Sequence, residues 1–397
     1  MNTQTPTSPL LPAEREEFRH LLDKRLEKVK VKTAEAFAFK DLKQPPFIVN
    51  AAPYWGFALE PETFPDGLFD DPAVMTNAQE RMYYDQIKEV DDDFVPYLMP
   101  WLGTFVAASA FGSQIEFLPK QDPVLNPRYY PVETVQDIRK LEIPNPEKDG
   151  LMPRVLKFLD YMRGNSFLPV GITDFQGPLA TANQLMGFDK LIYLMEDEPL
   201  AAHELMDKIT EALIRWVEKQ KEVIGEPLTE CISDQQVYTG RHAGIWFADD
   251  DAVLVSPKLY KEFVVPYNSR ICKAFGGGCL HFCGNATHQA ENFLRIEGLQ
   301  AINNSLMHKI GAFRELKSKL EGRVVLFAVD LTPVDYKQYC NELFADLSLK
   351  GLIVHWIYSP VVGLLKEGQW APIRRDLLTG RRSVCEYLRC HLQRQAP

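Results

Sequence analysis

His281 and Cys283 are the residues of this chain whose types and spacing most directly suggest chemistry. They close a short apolar run, residues 279–283, that follows three glycines and ends at Gly284-Asn285. This pattern is typical of a buried strand followed by a turn. Residues two apart on a strand share a face, so the imidazole and the thiol point the same way. Such a pair can be half of a zinc site, a base beside a nucleophile, or a buried thiol next to a hydrogen-bonded core histidine.

The elements that must position this pair repeat one unit, which consists of an apolar strand, a polar turn and an amphipathic helix. The second half of the chain contains five such strands, at residues 244–248, 279–283, 299–304, 324–330 and 352–357. Three earlier apolar runs complete the set, at residues 47–52, 94–98 and 168–174. Continuous apolar strands between helices predict a parallel sheet covered on both faces, and eight of them predict a closed barrel. The expected fold class is therefore α/β, a (β/α)8 TIM barrel with an N-terminal helical extension.

A single barrel domain is predicted over residues 46–397, with a long insertion around 100–150. Residues 1–45 precede it as a polar tail and a helical extension, in which an amphipathic helix from Pro12 to about Phe37 packs outside the core. The insertion is rich in Pro, Gly and aromatic residues. Long loops inside compact domains are commonly functional, so we expect this one to wall a pocket.

The composition limits the partners of this protein. The 397 residues are 46% hydrophobic and 25% charged, which is typical of a globular chain with a large core. A net charge of -10 argues against nucleic acid or an anionic membrane as the main partner. We expect a cytoplasmic protein with a small-molecule substrate, because the chain shows neither a signal peptide nor an apolar segment of roughly 20 residues. Seven irregularly spaced cysteines favour reduced thiols, and the oligomeric state is left open, with a homodimer allowed.

The residues that close the predicted strands are the candidates for chemistry, because the active site of such a barrel lies at the carboxyl ends of its strands. They are polar at almost every strand: Asn50, Asp174, Asp249, Asp250, His281, Cys283, Asn303, Asn304, Asp330 and His355 to Tyr358. Asp250 and Asp251 could instead cap or solvate the loop that leads to Ser256. His355 lies inside an otherwise apolar strand, where it is either a paired core histidine or a ligand.

Aromatic residues follow the first two predicted strands, at Tyr54, Trp55, Tyr97 and Trp101. They suit a hydrophobic or ring-bearing ligand, or they pack within their own loops. Together with the strand-end residues they define the predicted substrate-binding set, which is Asn50, Tyr54, Trp55, Asn303 and Tyr358.

The motifs of this chain, taken in order, resemble the uroporphyrinogen decarboxylase superfamily. They are Gln176-Gly177-Pro178-Leu179, Glu198-Pro199, Phe247-Ala248-Asp249-Asp250, Ser256-Pro257, Phe263-Val264-Val265-Pro266-Tyr267 and His281-Phe282-Cys283-Gly284-Asn285. The resemblance covers roughly residues 45–380 and is strongest in 244–305. It implies a (β/α)8 barrel that belongs to one of two main functional branches.

The two branches differ in their site residues. The decarboxylase branch carries an arginine-rich segment after the first strand, whereas residues 50–56 of this chain contain no arginine. The second branch comprises cobalamin-dependent methyltransferases, whose zinc is held by a His-x-Cys pair and a later cysteine on the last strand. His281 and Cys283 match that pair, but residues 351–360 contain no cysteine. Either the third ligand is His355, Tyr358 or a carboxylate such as Asp174 or Asp330, or the site binds no zinc.

The expected function is therefore that of a zinc-dependent methyltransferase, which moves a methyl group between a small substrate and a corrinoid carried on a partner protein. Zinc would be held by His281, Cys283 and His355 and would lower the pKa of a protic substrate group. The alternative is a metal-free decarboxylase, in which Asp174, Asp249 or Asp330 protonates a carbanion with help from His281. A non-catalytic ligand-binding barrel is the third reading.

Overall fold

The computed structural model describes residues 7–51, 65–235, 237–333, 335–358 and 377–395. Its strands are β1 (Phe47–Ala51), β2 (Ile115–Glu116), β3 (Val124–Leu125), β4 (Ser233–Asp234), β5 (Val237–Tyr238), β6 (Ile245–Ala248), β7 (Gly278–Cys283), β8 (Leu299–Ser305), β9 (Val325–Leu331) and β10 (Leu352–Tyr358). The main sheet has six parallel strands in the order β1-β10-β9-β8-β7-β6. Two antiparallel ribbons, β2-β3 and β4-β5, lie apart from it.

The helices cover the outside of this sheet. They are α1 (Pro12–Phe37), α2 (Pro72–Glu89), α3 (Val106–Ala110), α4 (Val135–Lys140), α5 (Met152–Asn165), α6 (Pro178–Met186), α7 (Phe188–Asp197), α8 (Pro199–Ile224), α9 (Pro257–Phe263), α10 (Val265–Ala274), α11 (Ala290–Phe293), α12 (Ile310–Leu320), α13 (Tyr336–Phe344) and α14 (Leu377–Gln395). Several begin with proline, whose missing N–H costs nothing in a first turn. Ser256 caps α9, because its hydroxyl accepts from the N–H of Leu259.

The predicted (β/α)8 barrel is confirmed, although two of its eight strand positions are occupied by irregular extended segments. The runs at 94–98 and 168–174 are extended segments joined by single parallel bridges instead of full ladders. One bridge pairs Leu98 with Val170, and another pairs Gln176 with Ala248 of β6. These bridges carry the sheet from β6 round toward β1. Asp174 lies on this irregular part of the barrel, whereas His281 and Cys283 lie on the regular strand β7.

Two aspartates link the irregular segment at residues 94–98 to β1 and so close the barrel. Asp92 and Asp93 are buried, and their carboxylates accept backbone N–H groups of β1 at 2.9 and 3.0 Å. Helix α1 supplies the compensating cations, with Arg25 2.9 Å from Asp92 and Lys32 2.8 Å from Asp93. A buried carboxylate is tolerated only when it is paired and hydrogen-bonded, so the N-terminal extension takes part in closing the barrel. The division into a 1–45 extension and a 46–397 barrel domain stays a prediction.

The parallel register decides which side chains face the barrel interior. His281 of β7 pairs with Asn303 of β8, and the two side chains bond to each other inside the barrel. On each strand, the residues that alternate with these inward-facing positions face the helices instead. Trp356 of β10, for example, packs on Tyr339 and Phe344 of α13, and its register partner on β9 is Asp330. Within the described residues, the helices are too short or too polar to cross a membrane.

Candidate metal-binding active site

His281 lies on the inner face of β7 and is 6% exposed. Its Nδ1 is 3.0 Å from Oδ1 of Asn303 on the neighbouring strand. An amide oxygen can only accept, so this contact places the ring proton on Nδ1 and leaves a lone pair on Nε2. The tautomer that results is the one that binds a metal through Nε2.

Two further donor atoms converge on Nε2 of His281. The Cys283 Sγ lies 3.6 Å from it, and Oδ1 of Asp250 lies 3.9 Å from it. The ligating atoms of the three residues all fall within 4.8 Å of one another. Asp250 is fixed in place because its Oδ1 also accepts the backbone N–H of Cys283 at 2.7 Å.

The spacing of the His281 and Cys283 donor atoms fits a tetrahedral zinc ion. With Zn–S near 2.3 Å and Zn–N near 2.0–2.1 Å, tetrahedral geometry separates the sulfur and nitrogen by about 3.5–3.6 Å. The observed separation between Cys283 and His281 is 3.6 Å. Burial and the charge of Asp250 raise the pKa of Cys283 to about 12, so its thiolate form requires a neighbouring cation. Imidazole, thiol and carboxylate together could therefore hold zinc with one coordination position left for a substrate.

Asp250 is a candidate ligand that the sequence did not single out. Ala248 pairs in register with His281, and β6 then ends in a short 3₁₀ turn over Asp250–Val253. Counting alternate positions along β6 puts Ala248 inward, Asp249 outward and Asp250 inward again. This alternation could have predicted that Asp250 faces the barrel interior. However, three consecutive aspartates are equally typical of a solvated turn.

Asp249, predicted as catalytic, points away from the cluster. Its buried carboxylate accepts the Tyr260 hydroxyl at 2.6 Å and the Asn268 amide at 3.1 Å. Burial raises the pKa of Asp249 to about 7. These contacts tie the end of β6 to α9 and α10, which is a structural arrangement, and the catalytic role stays a prediction.

Asp330 likewise faces the helices. Its carboxylate accepts the Tyr339 hydroxyl and the backbone N–H groups of His308, at 3.1 Å, and Leu331, at 2.9 Å. Burial raises the pKa of Asp330. The side chain therefore holds the loop after β8 against α13, and its predicted catalytic role also stays a prediction.

Asp174 is the predicted acid that lies beside the cluster. It is 6% exposed, and the Gln176 amide donates to it at 2.7 Å. Burial, with a smaller contribution from the charge of Asp250, raises the pKa of Asp174 to about 7. A cavity of about 120 Å³ is lined by Asp174, Asp250 and His281 together. A carboxyl group that can hold or release a proton near neutral pH thus opens onto the same space as the candidate ligands.

His355, predicted as the third ligand, lies in the barrel interior and is paired with Asn50. Its Nε2 is 2.8 Å from Oδ1 of Asn50, whereas its Nδ1 is buried without a partner among the described residues. Burial, with the nearby His281, lowers the pKa of His355 to about 3, so the imidazole is neutral. The structure brings Asp250 to the His281–Cys283 pair and leaves His355 in contact with Asn50.

The predicted substrate-binding residues are only partly described. Tyr54 and Trp55 lie outside the described residues, and so does the side chain of Tyr358 at the end of β10. Asn303 contacts His281 directly, and Asn50 contacts His355. Among the remaining thiols, Cys272 on α10 and Cys340 on α13 are buried in the core.

The insertion forms part of the wall above the cluster. The 120 Å³ cavity adjoins a second one of about 310 Å³, and the two share Thr104, Gln176 and Asp250. Aromatic residues line both: Trp101, Phe105, Tyr130 and Trp246. A polar floor beneath aromatic walls is the form of a small-molecule site.

A parallel (β/α)8 barrel that carries potential metal ligands at the carboxyl ends of its strands has the architecture of a barrel enzyme. The family model "Uroporphyrinogen decarboxylase (URO-D)" matches residues 99–326, which is more than half of the chain. The chain belongs to this family, and the resemblance inferred from its motifs is confirmed.

Relatives from both branches match this chain. A uroporphyrinogen decarboxylase of Carboxydothermus hydrogenoformans is 25% identical over 45% of this chain and 48% of its own length. A uroporphyrinogen decarboxylase of Syntrophotalea carbinolica is 26% identical over 60% and 67%, respectively. A methylated-thiol–coenzyme M methyltransferase of Methanosarcina mazei is 25% identical over 47% of each chain. The match thus spans about half the length of the first of these relatives.

One solved structure, a methyltransferase from Methanosarcina mazei, superposes on 91% of this chain and 98% of its own. Its TM-score is 0.61 and its sequence identity is 15%, so the similarity concerns the fold. Together, the family match and these relatives place this protein in an enzyme family whose members include both decarboxylases and a methyltransferase.

Proposed function

We propose that this protein is a zinc-dependent methyltransferase that moves a methyl group between a small substrate and a corrinoid carried on a partner protein. The observation that carries the proposal is the convergence of Asp250, His281 and Cys283 within 4.8 Å at the end of the barrel. Asp250 takes the place of the cysteine that this branch of the family has on its last strand. A carboxylate, an imidazole and a thiolate are all ordinary zinc ligands.

The chain's own residues prepare the site for this chemistry. Asn303 holds the Nδ1 proton of His281 and so keeps Nε2 turned toward the other two donors. Zinc, when bound, lowers the pKa of a coordinated thiol or other protic group, so that its anion becomes the nucleophile. Asp174 accepts the proton that this group gives up, since its pKa of about 7 lets it change protonation state near neutral pH. The aromatic walls keep bulk water away from the anion.

The partner protein is part of this proposal. A corrinoid would have to reach the carboxyl ends of the strands, where the cavity over Asp174 and His281 opens. The name of the Methanosarcina relative, a methyltransferase acting on methylated thiols and coenzyme M, supports methyl transfer as the reaction class.

Decarboxylation is the second candidate, because Asp174 is a buried acid of suitable pKa beside His281. A carboxylate substrate would need cationic or multiple N–H groups to hold it. Neither cavity wall includes a lysine or arginine from the described part of the chain. This candidate is therefore the weaker one.

Metal content tests the proposal. Protein purified under anaerobic, zinc-replete conditions should contain one zinc per chain, and the changes His281→Ala and Cys283→Ser should each remove it. Cys390→Ser is the matched control, because Cys390 is an exposed free thiol far along α14. Wild-type protein that stays metal-free would overturn the proposal. Methyl transfer to a corrinoid protein, lost in the two variants and kept in Cys390→Ser, would complete the test.

A further inference from the structure

The cavity above the candidate ligands carries an excess of negative charge. Asp174 and Asp250 line its inner part, and Asp250 and Asp251 line the adjoining outer part. Asp174 is 6% exposed, so its charge is poorly screened by water. The described wall residues include no lysine and no arginine that would neutralise these carboxylates.

Zinc would not remove this excess. A divalent ion held by the Cys283 thiolate and the Asp250 carboxylate forms a unit with no net charge. Asp174 and Asp251 then remain, with only neutral partners, since Gln176 donates to Asp174 and Asn183 donates to Asp251. The carboxyl groups beside the metal site therefore lack a cationic partner among the described residues, whether or not the metal is bound.

Aromatic side chains from three parts of the chain line the two adjoining cavities. Trp101 comes from the insertion, Trp246 from β6, and Tyr130 from the segment before α4. Burial of a carboxylate against aromatic rings is unfavourable on its own and raises the pKa of Asp174. A cation resolves the conflict, because it is attracted both by the carboxylate and by the electron-rich faces of Trp and Tyr.

We propose that the site takes a small organic cation, an amine or quaternary ammonium compound bearing a hydroxyl or thiol group. The cationic end lies among Asp174, Trp101 and Trp246, and the protic end reaches toward Asp250, His281 and Cys283. The role of the protic end rests on the proposed function, whereas the recognition of the cation does not. A volume of about 120 Å³ limits the ligand to a small one.

Three probes of one shape separate charge from fit. Choline, its uncharged isostere 3,3-dimethylbutan-1-ol, and the anion 3,3-dimethylbutanoate are titrated into the full-length protein by calorimetry. We expect choline to bind at least about tenfold more tightly than the alcohol, the size expected for a desolvated cation among aromatic rings. The anion should not bind. Equal binding of choline and the alcohol, no binding of choline, or a preference for the anion would each overturn the proposal.

Variants locate the cation within the cavity. Asp174→Asn should lower the affinity for choline about tenfold and leave that for the alcohol unchanged. Asp160→Asn, which alters an exposed carboxylate on α5, should change neither. An unchanged affinity for choline in Asp174→Asn would contradict the assignment.

The same titrations on Cys283→Ser protein treated with a chelator separate this inference from the proposed function. Choline binding that survives without zinc supports recognition of the cation even if methyl transfer is never observed. Loss of the preference for choline over the alcohol in wild-type protein refutes recognition of the cation even if zinc is bound.

Discussion

The Nδ1 atom of His281 lies 3.0 Å from Oδ1 of Asn303, its register partner on the neighbouring strand. This contact turns Nε2 toward Cys283 and Asp250, so one residue with no metal-ligating role sets the direction of the candidate centre.

Replacement of Asn303 should therefore weaken metal binding without removing a ligand. Asn303→Ala is expected to lower zinc affinity about 10–100-fold, the usual cost of losing a hydrogen bond to a ligating histidine. Asn303→Asp should retain the affinity, because a carboxylate accepts the Nδ1 proton equally well. Competition with a chromogenic chelator measures both. Equal losses in the two variants would contradict the role of Asn303 as the acceptor of the Nδ1 proton.

Replacement of Asp250 should weaken zinc binding, whereas replacement of His355 should not. Asp250→Asn keeps the acceptor for the Cys283 N–H but loses the charge, so zinc affinity should fall at least about tenfold. His355→Asn should leave zinc affinity unchanged, because the ring of His355 bonds to Asn50. The measurement is again chelator competition, with unfolding midpoints to verify that both variants fold. The reverse order of effects would make His355 the ligand.

Asp93 should contribute strongly to stability, although it lies far from the site. Its buried carboxylate accepts the N–H of Phe47 and pairs with Lys32, and Asp93→Ala leaves both without a partner. We expect the free energy of unfolding to fall by about 3–5 kcal/mol, as for other broken buried pairs. Asp91→Ala is the neighbouring control, since its side chain is 72% exposed and should change stability by less than about 0.5 kcal/mol. Urea unfolding measures both changes, and similar values for the two would contradict the role of Asp93 in barrel closure.

Asp122 should make stability depend on pH in an unusual direction. It accepts the indole N–H of Trp101, and burial raises its pKa to about 6. Because this is above the value in the unfolded chain, the folded state binds more protons between about pH 4 and 6. The contribution of Asp122 to stability therefore falls as the pH rises through this window.

The change Asp122→Asn removes this titration. The stability of the variant relative to wild type should be lowest near pH 4 and rise to a plateau above about pH 6.5. Urea unfolding of both proteins at four pH values gives the difference curve, in which the titration of all other groups cancels. A flat difference curve would mean that Asp122 titrates at its ordinary pKa.

The sequence by itself determined the barrel and one half of the candidate site. Apolar strands that alternate with helices require a parallel sheet, and two-residue periodicity alone puts His281 and Cys283 on one face. Both follow from local backbone geometry. The same periodicity, counted along β6 and β9, also turns Asp249 and Asp330 toward the helices, but it can be counted only once the strand ends and their register are known.

Only the tertiary structure decided which residues complete the cluster. Asp250 is 31 positions before His281 and meets it because β6 and β7 are adjacent in register and β6 ends in a 3₁₀ turn. His355 belongs to the same interior but lies on β10, which is separated from β7 by two strands. Asp174 and Trp101 line the cavity and follow segments that are held by single bridges. These segments form no regular strand, so alternation along the sequence does not predict which side chains face the cavity. The distance between two strands depends on their positions in the strand order of the sheet, and that order exists only in the closed barrel.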